Sequence, residues 1–369
     1  MRVHLLAFPS SQTTRAYALC GFTAATMRFA HVLQRMGAHV TLYASEENEA
    51  PCDELVIVIT KEEQETLLDG VPYYTAPMTS TCYPLWALAN KRMIREIGRR
   101  KQPHDLICTI GGISQLPVAL AHDDLMTVEY SIGYASSFAA YRVYESHVWR
   151  HCTHGYQVMQ SSQVDGGGDG RFFDAVIPLF FDAAEFPVRT KKDPFVLYVG
   201  RLTARKGLAI ACQAAEAAGV QLKVIGHGDV SLVTHGAEYL GILSPEARND
   251  WMSRATALLS PTQYIEPFGS VAVEAQLCGT PAIATDFGGF VETIDHGVTG
   301  FRCNYLGEFV DAIHAASTLD PQRIRARAER RYSLDAVVPQ YRAYFDRLAL
   351  LWHDGWQTVA PAPALSEVA

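Results

Sequence analysis

Two similar series of buried strands and amphipathic helices, one in each half of the chain, leave few folds open. Val3-His4-Leu5-Leu6-Ala7-Phe8 reads as a short buried strand. A polar loop follows from Pro9 to Arg15, and Cys20-Gly21-Phe22 leads into a helix with Ala25, Phe29, Val32, Leu33 and Met36 on its apolar face. Gly37 ends that helix, and Val40-Thr41-Leu42-Tyr43 is the next strand. Strand, loop, helix, strand is the opening unit of a doubly wound parallel sheet, in which ligands bind at the carboxyl ends of the strands. Further strands are expected over 55–59, 106–110 and 126–130, with a helix over 85–101. A second series opens at Phe195-Val196-Leu197-Tyr198-Val199, with a helix over 208–218 and strands over 222–225, 257–260 and 282–285. Helices over 308–316 and 321–332 and a long amphipathic helix over 336–352 complete it. Between the halves, VRTKKD stands between Pro187 and Pro194 and reads as a linker. The expected division is a domain at 1–186, a second at 187–335, and a final helix with a tail at 336–369, disordered from Pro361-Ala362-Pro363 onward.

With 369 residues the chain is long enough for two ordinary domains, and 49% apolar against 19% charged residues is a soluble globular composition. There is no run of eighteen apolar residues and no signal pattern at Met1-Arg2-Val3-His4, which leads to the expectation of a cytoplasmic protein without stable membrane insertion. The eight cysteines are scattered, with no C-x-x-C pair, as expected of reduced thiols rather than a disulfide frame or a zinc site. A net charge of −8 argues against a surface that binds nucleic acid throughout, while leaving room for a local basic groove. The helix over 85–101 offers such a groove, with Arg92, Arg95 and Arg99 on one face; a solvated helix face is the plainer alternative. Asp165 to Gly170 is glycine-rich and is expected to be a mobile loop.

The stretch SPTQYIEPFGSVAVEAQLCGTP, Ser260 to Pro281, carries the most chemistry. Glu266 and Glu274 stand eight residues apart. Pro267 suits the first turn of a helix, Val271, Glu274 and Ala275 fall on one side of it, and Gly279 and Pro281 stop it. Glu266 then lies in the loop at the helix mouth and Glu274 about two turns inside. The mouth presents free N–H groups and a positive dipole end, where a diphosphate would bind. A carboxylate next to such a site suits sugar or ribose hydroxyls, because it only accepts hydrogen bonds. A capped helix with one solvated and one core-edge glutamate is the alternative that spacing alone leaves open.

The segment resembles the donor-site motif of retaining glycosyltransferases with the GT-B fold, specifically glycosyltransferase family 4. Gly200-Arg201-Leu202 with Lys206-Gly207, the turn Ile225-Gly226-His227-Gly228, and Asp286-Phe287-Gly288-Gly289 through Glu292, Gly297 and Gly300 match in the same order. Four ordered matches over about 100 residues are more specific than any one of them. The resemblance implies two Rossmann-like α/β domains facing across a cleft, with the C-terminal helix crossing back to the first. It implies a nucleotide diphosphate sugar as donor substrate, UDP-hexose favoured, with no cofactor and no metal. By resemblance, Arg201 and Lys206 would stabilise charge on the leaving diphosphate, Glu266 would accept from donor-sugar hydroxyls and Glu274 from the ribose. Gly21, Gly200, His227, Gly228, Pro267, Phe268, Gly269 and Ser270 would complete the donor site. Where many family members carry a histidine after the fifth strand, this chain has Glu129, read either as a catalytic carboxylate or as a structural acceptor of backbone hydrogen bonds.

The runs YRVYESHVW, DGRFFDAVIPLFFD and LWHDGW, with the opening HLLAFPSSQTTR, resemble glycosyltransferases of phages and environmental viruses that modify hydroxymethylated pyrimidines in DNA. That implies double-stranded DNA as a partner, held by Arg92, Arg95, Arg99, Arg142 and Arg150, with 5-hydroxymethylcytosine as acceptor in a phage-infected cell. A glycan, lipid-linked sugar or small metabolite is the alternative acceptor. A sugar-nucleotide epimerase or non-catalytic binder is the alternative of another class.

Overall fold

The apolar runs of the first half pair in parallel, as runs buried on both faces do. The computed structural model describes residues 1–76, 83–160 and 172–354; the glycine-rich loop at 165–170 and the tail from Pro361 lie outside the described residues. Seven strands, β1 (Arg2–Leu6), β2 (His39–Ser45), β3 (Glu54–Ile59), β4 (Leu106–Thr109), β5 (Met126–Ile132), β6 (Tyr141–Tyr144) and β7 (Ala175–Val176), form one sheet in the order β3-β2-β1-β4-β5-β6-β7. Six more, β8 (Phe195–Val199), β9 (Gln221–Ile225), β10 (Glu238–Gly241), β11 (Ala257–Ser260), β12 (Ala282–Thr285) and β13 (Gly300–Cys303), form a second in the order β10-β9-β8-β11-β12-β13. Every pairing is parallel in both. Each sheet reverses its winding beside its first strand, and that switch point places loops from both sides of the reversal around one crevice.

Alternation along the strands divides the first core. Leu5, Leu42, Cys108 and Val128 face one side with the opening helix Gly21–Arg35. Leu6, Tyr43, Val58 and Ile107 face the other with the helix Pro84–Arg100. His4 belongs to the second face, its ring nitrogens 2.9 Å from the Tyr43 hydroxyl and 3.1 Å from Asp105. Burial holds its pKa down against the pull of Asp105.

The last helix, Leu334–Asp354, leaves the second domain and packs on the first. Val337, Tyr341, Tyr344, Phe345, Leu348 and Leu351 enter the first-domain core beside the opening helix. Tyr341 meets Phe29 at 5.1 Å between ring centroids, and Phe29 stacks on Tyr130 at 3.9 Å. The two passages of the chain between domains run together, the Phe181 N–H donating to the Tyr332 carbonyl at 2.8 Å.

The segment between Pro187 and Pro194 is not a loose tether. Lys192 is drawn inward and donates to Thr280 Oγ1 at 2.8 Å and to the carbonyls of Ser253 and Cys278. Burial lowers its pKa to about 8. Arg189 pairs with Asp250, and Asp193 with Arg254.

Replacing the buried Tyr341 by alanine is expected to cost about 3–5 kcal/mol, the usual loss for a buried aromatic ring, measured as the shift in urea unfolding.

Candidate functional site: the cleft between the two sheets

The carboxyl ends of both sheets open into one cavity of about 1880 Å³. Gly21 after β1, Ser131 and Gly133 at the end of β5, and Glu145 after β6 line it from the first domain. Gly200, Arg201 and Lys206 after β8 and the run from Tyr264 to Val271 after β11 line it from the second. That volume exceeds the range of about 300–1,000 Å³ common for one small ligand, so two reactants fit together.

The helix after β11 spans Ser270–Leu277. It begins later than Pro267 suggests: Pro267 lies in the approach loop, and Glu274 is one turn inside rather than two. The start is set by Gly269, whose φ of +84° is left-handed and whose missing Cβ leaves room for the Phe290 ring, 2.5 Å from where it would sit. No side chain caps this helix and its first turn has no acidic residue. Its leading N–H groups are thus free of side-chain partners on the cavity wall.

Charges of both signs converge there. Lys206 Nζ lies 2.6 Å from Glu266 Oε2, and both are largely buried. Burial alone would lower the Lys206 pKa, but Glu266 and the Tyr264 hydroxyl outweigh it and the net shift is upward. The ring of Tyr264 carries Arg205 at 4.7 Å and Lys206 at 5.1 Å from its centroid. Arg201 lines the cavity, its carbonyl held by the Tyr198 hydroxyl at 2.9 Å, and its guanidinium has no hydrogen bond or ion pair among the described residues. Glu274, 6% exposed, is held between Arg248 at 3.2 Å and Arg28, from the first domain, at 4.0 Å. Arg28 also lies 4.4 Å over the Phe181 ring. The buried Arg248 Nε has no hydrogen-bond partner among the described residues.

The rim is fastened across the domains. Ser146 Oγ donates to the Pro267 carbonyl. The carboxylate of Glu292 accepts from the His147 N–H at 3.0 Å and the Val148 N–H at 2.7 Å, capping the helix His147–Gln160 from the other domain.

Of the residues singled out in the sequence, Gly21, Gly200, Arg201, Lys206, Glu266, Pro267, Phe268, Gly269, Ser270 and Glu274 all line this cavity. His227 and Gly228 are not among its lining residues. Gly228 bridges to Leu202, and His227 packs on Tyr74 of the first domain at 4.7 Å between centroids. Burial, then Arg201, lowers the His227 pKa.

Several assignments need correction. Glu129 does not face the cleft. It is fully buried and accepts from the Tyr134 hydroxyl and the N–H groups of Phe138 and Ala139 at 2.9–3.1 Å, the structural alternative. Arg142 is no surface cation: 1% exposed, it forms a bidentate pair with Asp174 at 2.9 and 2.7 Å. Arg92 is paired bidentately with Glu63, and Arg95 and Arg99 share Glu96, so the expected basic face is largely neutralised. Neither they nor Arg150, which contacts His151, line the cavity. Arg28, Arg248 and Tyr264 went unforeseen because their partners come from distant segments, and Glu145 because only the fold brings it to the cavity. Glu292 sat inside a matched motif, but its task is visible only across the domain seam.

The two parallel-sheet Rossmann-like domains, the shared cleft and the returning final helix define a protein of the GT-B fold. Residues 181–330 match the family model described as Glycosyl transferases group 1. Glycogen synthase of Xanthomonas axonopodis pv. citri (strain 306) is 31% identical over 209 residues, covering 50% of this chain and 41% of that protein. Glycogen synthase of Mycobacterium tuberculosis (strain CDC 1551 / Oshkosh) is 31% identical over 216 residues, 53% of this chain and 49% of that one. The chain thus spans less than half the length of these curated relatives. Among solved structures, sucrose-phosphate synthase from Thermosynechococcus elongatus superposes with a TM-score of 0.68 at 17% identity, covering 95% of this chain and 99% of that one. AviGT4, a glycosyltransferase involved in Avilamycin A biosynthesis, gives 0.67 at 18%, covering 94% and 98%. Anabaena Alr3699/HepE in complex with UDP-glucose gives 0.62 at 18%, covering 95% and 100%. Among the described residues no helix is long and apolar enough to cross a membrane.

Removing Arg142 leaves the buried Asp174 with His154 as its remaining ion-pair partner among the described residues. Arg142→Ala is expected to lower stability by about 3–5 kcal/mol in urea unfolding. Intact stability with weakened binding to DNA would return Arg142 to the role first read for it.

Proposed function

We propose that the protein is a retaining glycosyltransferase that moves a hexose from a nucleotide diphosphate sugar, UDP-hexose favoured, to a hydroxyl acceptor. The observation that carries this reading is the convergence of Arg201, Lys206 and an uncapped helix mouth beside Glu266 and Glu274 in one interdomain cavity. Cleaving the anomeric bond develops negative charge on the diphosphate. In this reading, Arg201, Lys206 and the leading N–H groups of the helix Ser270–Leu277 meet that charge without a metal. Glu266 accepts from the hexose hydroxyls and Glu274 from the ribose, both fixed by the cations beside them. Support also comes from the group 1 family match over 181–330 and from the UDP and UDP-glucose complexes of HepE, a structural neighbour.

The acceptor read from the viral resemblance, hydroxymethylcytosine in DNA, loses the arginines assigned to it, since Arg142 is buried and Arg92, Arg95 and Arg99 are paired away from the cleft. Phe22, Tyr134 and Trp149 line the first-domain wall instead. Their faces suit the C–H faces of a sugar, and a carbohydrate acceptor is the reading we favour. The test is incubation with UDP-hexoses and parallel panels of oligosaccharides and hydroxymethylcytosine DNA, followed by mass analysis. Hexose gain on a saccharide is expected, and gain on the nucleoside alone would reinstate DNA. Arg201→Ala and Lys206→Ala are each expected to lower donor turnover, measured as nucleotide diphosphate release, by about 100- to 1,000-fold. Turnover unchanged in both would overturn the reading.

A further inference from the structure

Glu145 is a carboxyl in the cleft for which the donor-site argument has no use. It follows β6 directly, and its N–H donates to the Ile132 carbonyl at the end of β5. The side chain lies over Gly133, where a Cβ would come within 2.4 Å of Glu145 Oε2, so the glycine makes the seat the carboxyl occupies. The next residue, Ser146, donates to the carbonyl of Pro267, which itself follows Glu266. Glu145 and Glu266 are therefore flanking neighbours of one bonded pair across the domain seam, and both line the cavity. A structural carboxyl at such a place would have partners, as Glu129 does. Glu145 is half-buried, and its carboxyl has no hydrogen bond or ion pair among the described residues.

Resting on the nucleotide-sugar reading above, we propose that Glu145 is a sugar-contacting residue, its carboxyl donating a hydrogen bond to an oxygen of the donor's hexose opposite Glu266. The groups that face it are Arg28 of the opening helix, Glu266 of the second domain, Tyr134 after β5 and Tyr341 of the final helix. Arg28 is already engaged with Glu274 and Glu266 with Lys206. Burial, reinforced by the Glu266 charge and opposed by Arg28, pushes the Glu145 carboxyl up to about 8. Near neutral pH it keeps its proton and can donate, whereas Glu266 in its pair with Lys206 can only accept. The two carboxyls then read the sugar from opposite sides with opposite hydrogen-bond character. Above pH 8 Glu145 ionises, and the donated bond is lost.

The test compares affinities for UDP-glucose, ADP-glucose and GDP-glucose with those for the parent diphosphates, by calorimetry between pH 6 and 9.5. The wild-type protein is expected to prefer its nucleotide sugar over the parent diphosphate, with that preference falling as pH rises through about 8. Glu145→Ala should keep the diphosphate affinity and lose about five-fold of the preference, the scale of one hydrogen bond. Glu145→Gln, which still donates but does not titrate, should restore the preference and make it independent of pH. An unchanged preference in Glu145→Ala, or an equal loss of diphosphate affinity, overturns the proposal while leaving the glycosyltransferase reading standing. A wild-type protein that binds neither nucleotide nor nucleotide sugar overturns that reading and this proposal with it.

Discussion

The burial of one face of the final helix in the first domain sets the geometry on which the rest depends. Tyr341, Tyr344, Phe345 and Leu348 are core residues of a domain to which, by chain order, they do not belong. Their apolar area is withdrawn from water only if the second domain stands where its last helix can reach back. The paired crossings at Phe181 and Tyr332 add directional hydrogen bonding to that contact. Two sheets that share no strand are thereby held with their carboxyl ends facing.

That arrangement brings charges together on the walls of one cavity. Lys206 and Glu266 neutralise one another, and Glu274 is shared by two arginines from different domains. Isolated charges would be costly at such burial, whereas interlocked pairs hold each head group in a fixed direction. Glu274 needs Arg28 from the first domain to complete its surroundings, so the donor side of the cleft is not wholly the property of the second domain.

Much of this was legible in the chain. The apolar runs that became β1, β2, β3, β4 and β5 are continuous because parallel strands are covered on both faces, and the helix after Gly21 announced itself by period. The short strands β6, β7, β10 and β13 were not foreseen: β7 has only two residues, and β6, β10 and β13 put polar or glycine residues among four, which leaves no periodic signal. The donor motif placed Arg201, Lys206, Glu266 and Glu274 on one cavity wall because they follow β8 and β11, which are neighbours in the second sheet. Residues whose meaning lies in a distant partner were read wrongly or not at all. Arg142 looked like a surface cation until Asp174 was found against it, and Glu129 looked like a strand-end carboxylate until the N–H groups of Phe138 and Ala139 were seen to turn it inward.

Glu292 holds the two leading N–H groups of the helix His147–Gln160 with its carboxylate. Its own carbonyl accepts from Arg331 at 2.6 Å and from the Tyr332 hydroxyl at 3.3 Å, beside the point where the chain returns to the first domain. One residue thus works as a tie-rod between the hinge and the lip of the cleft. A displacement at the crossing would therefore be transmitted to the rim of the cleft through this one residue.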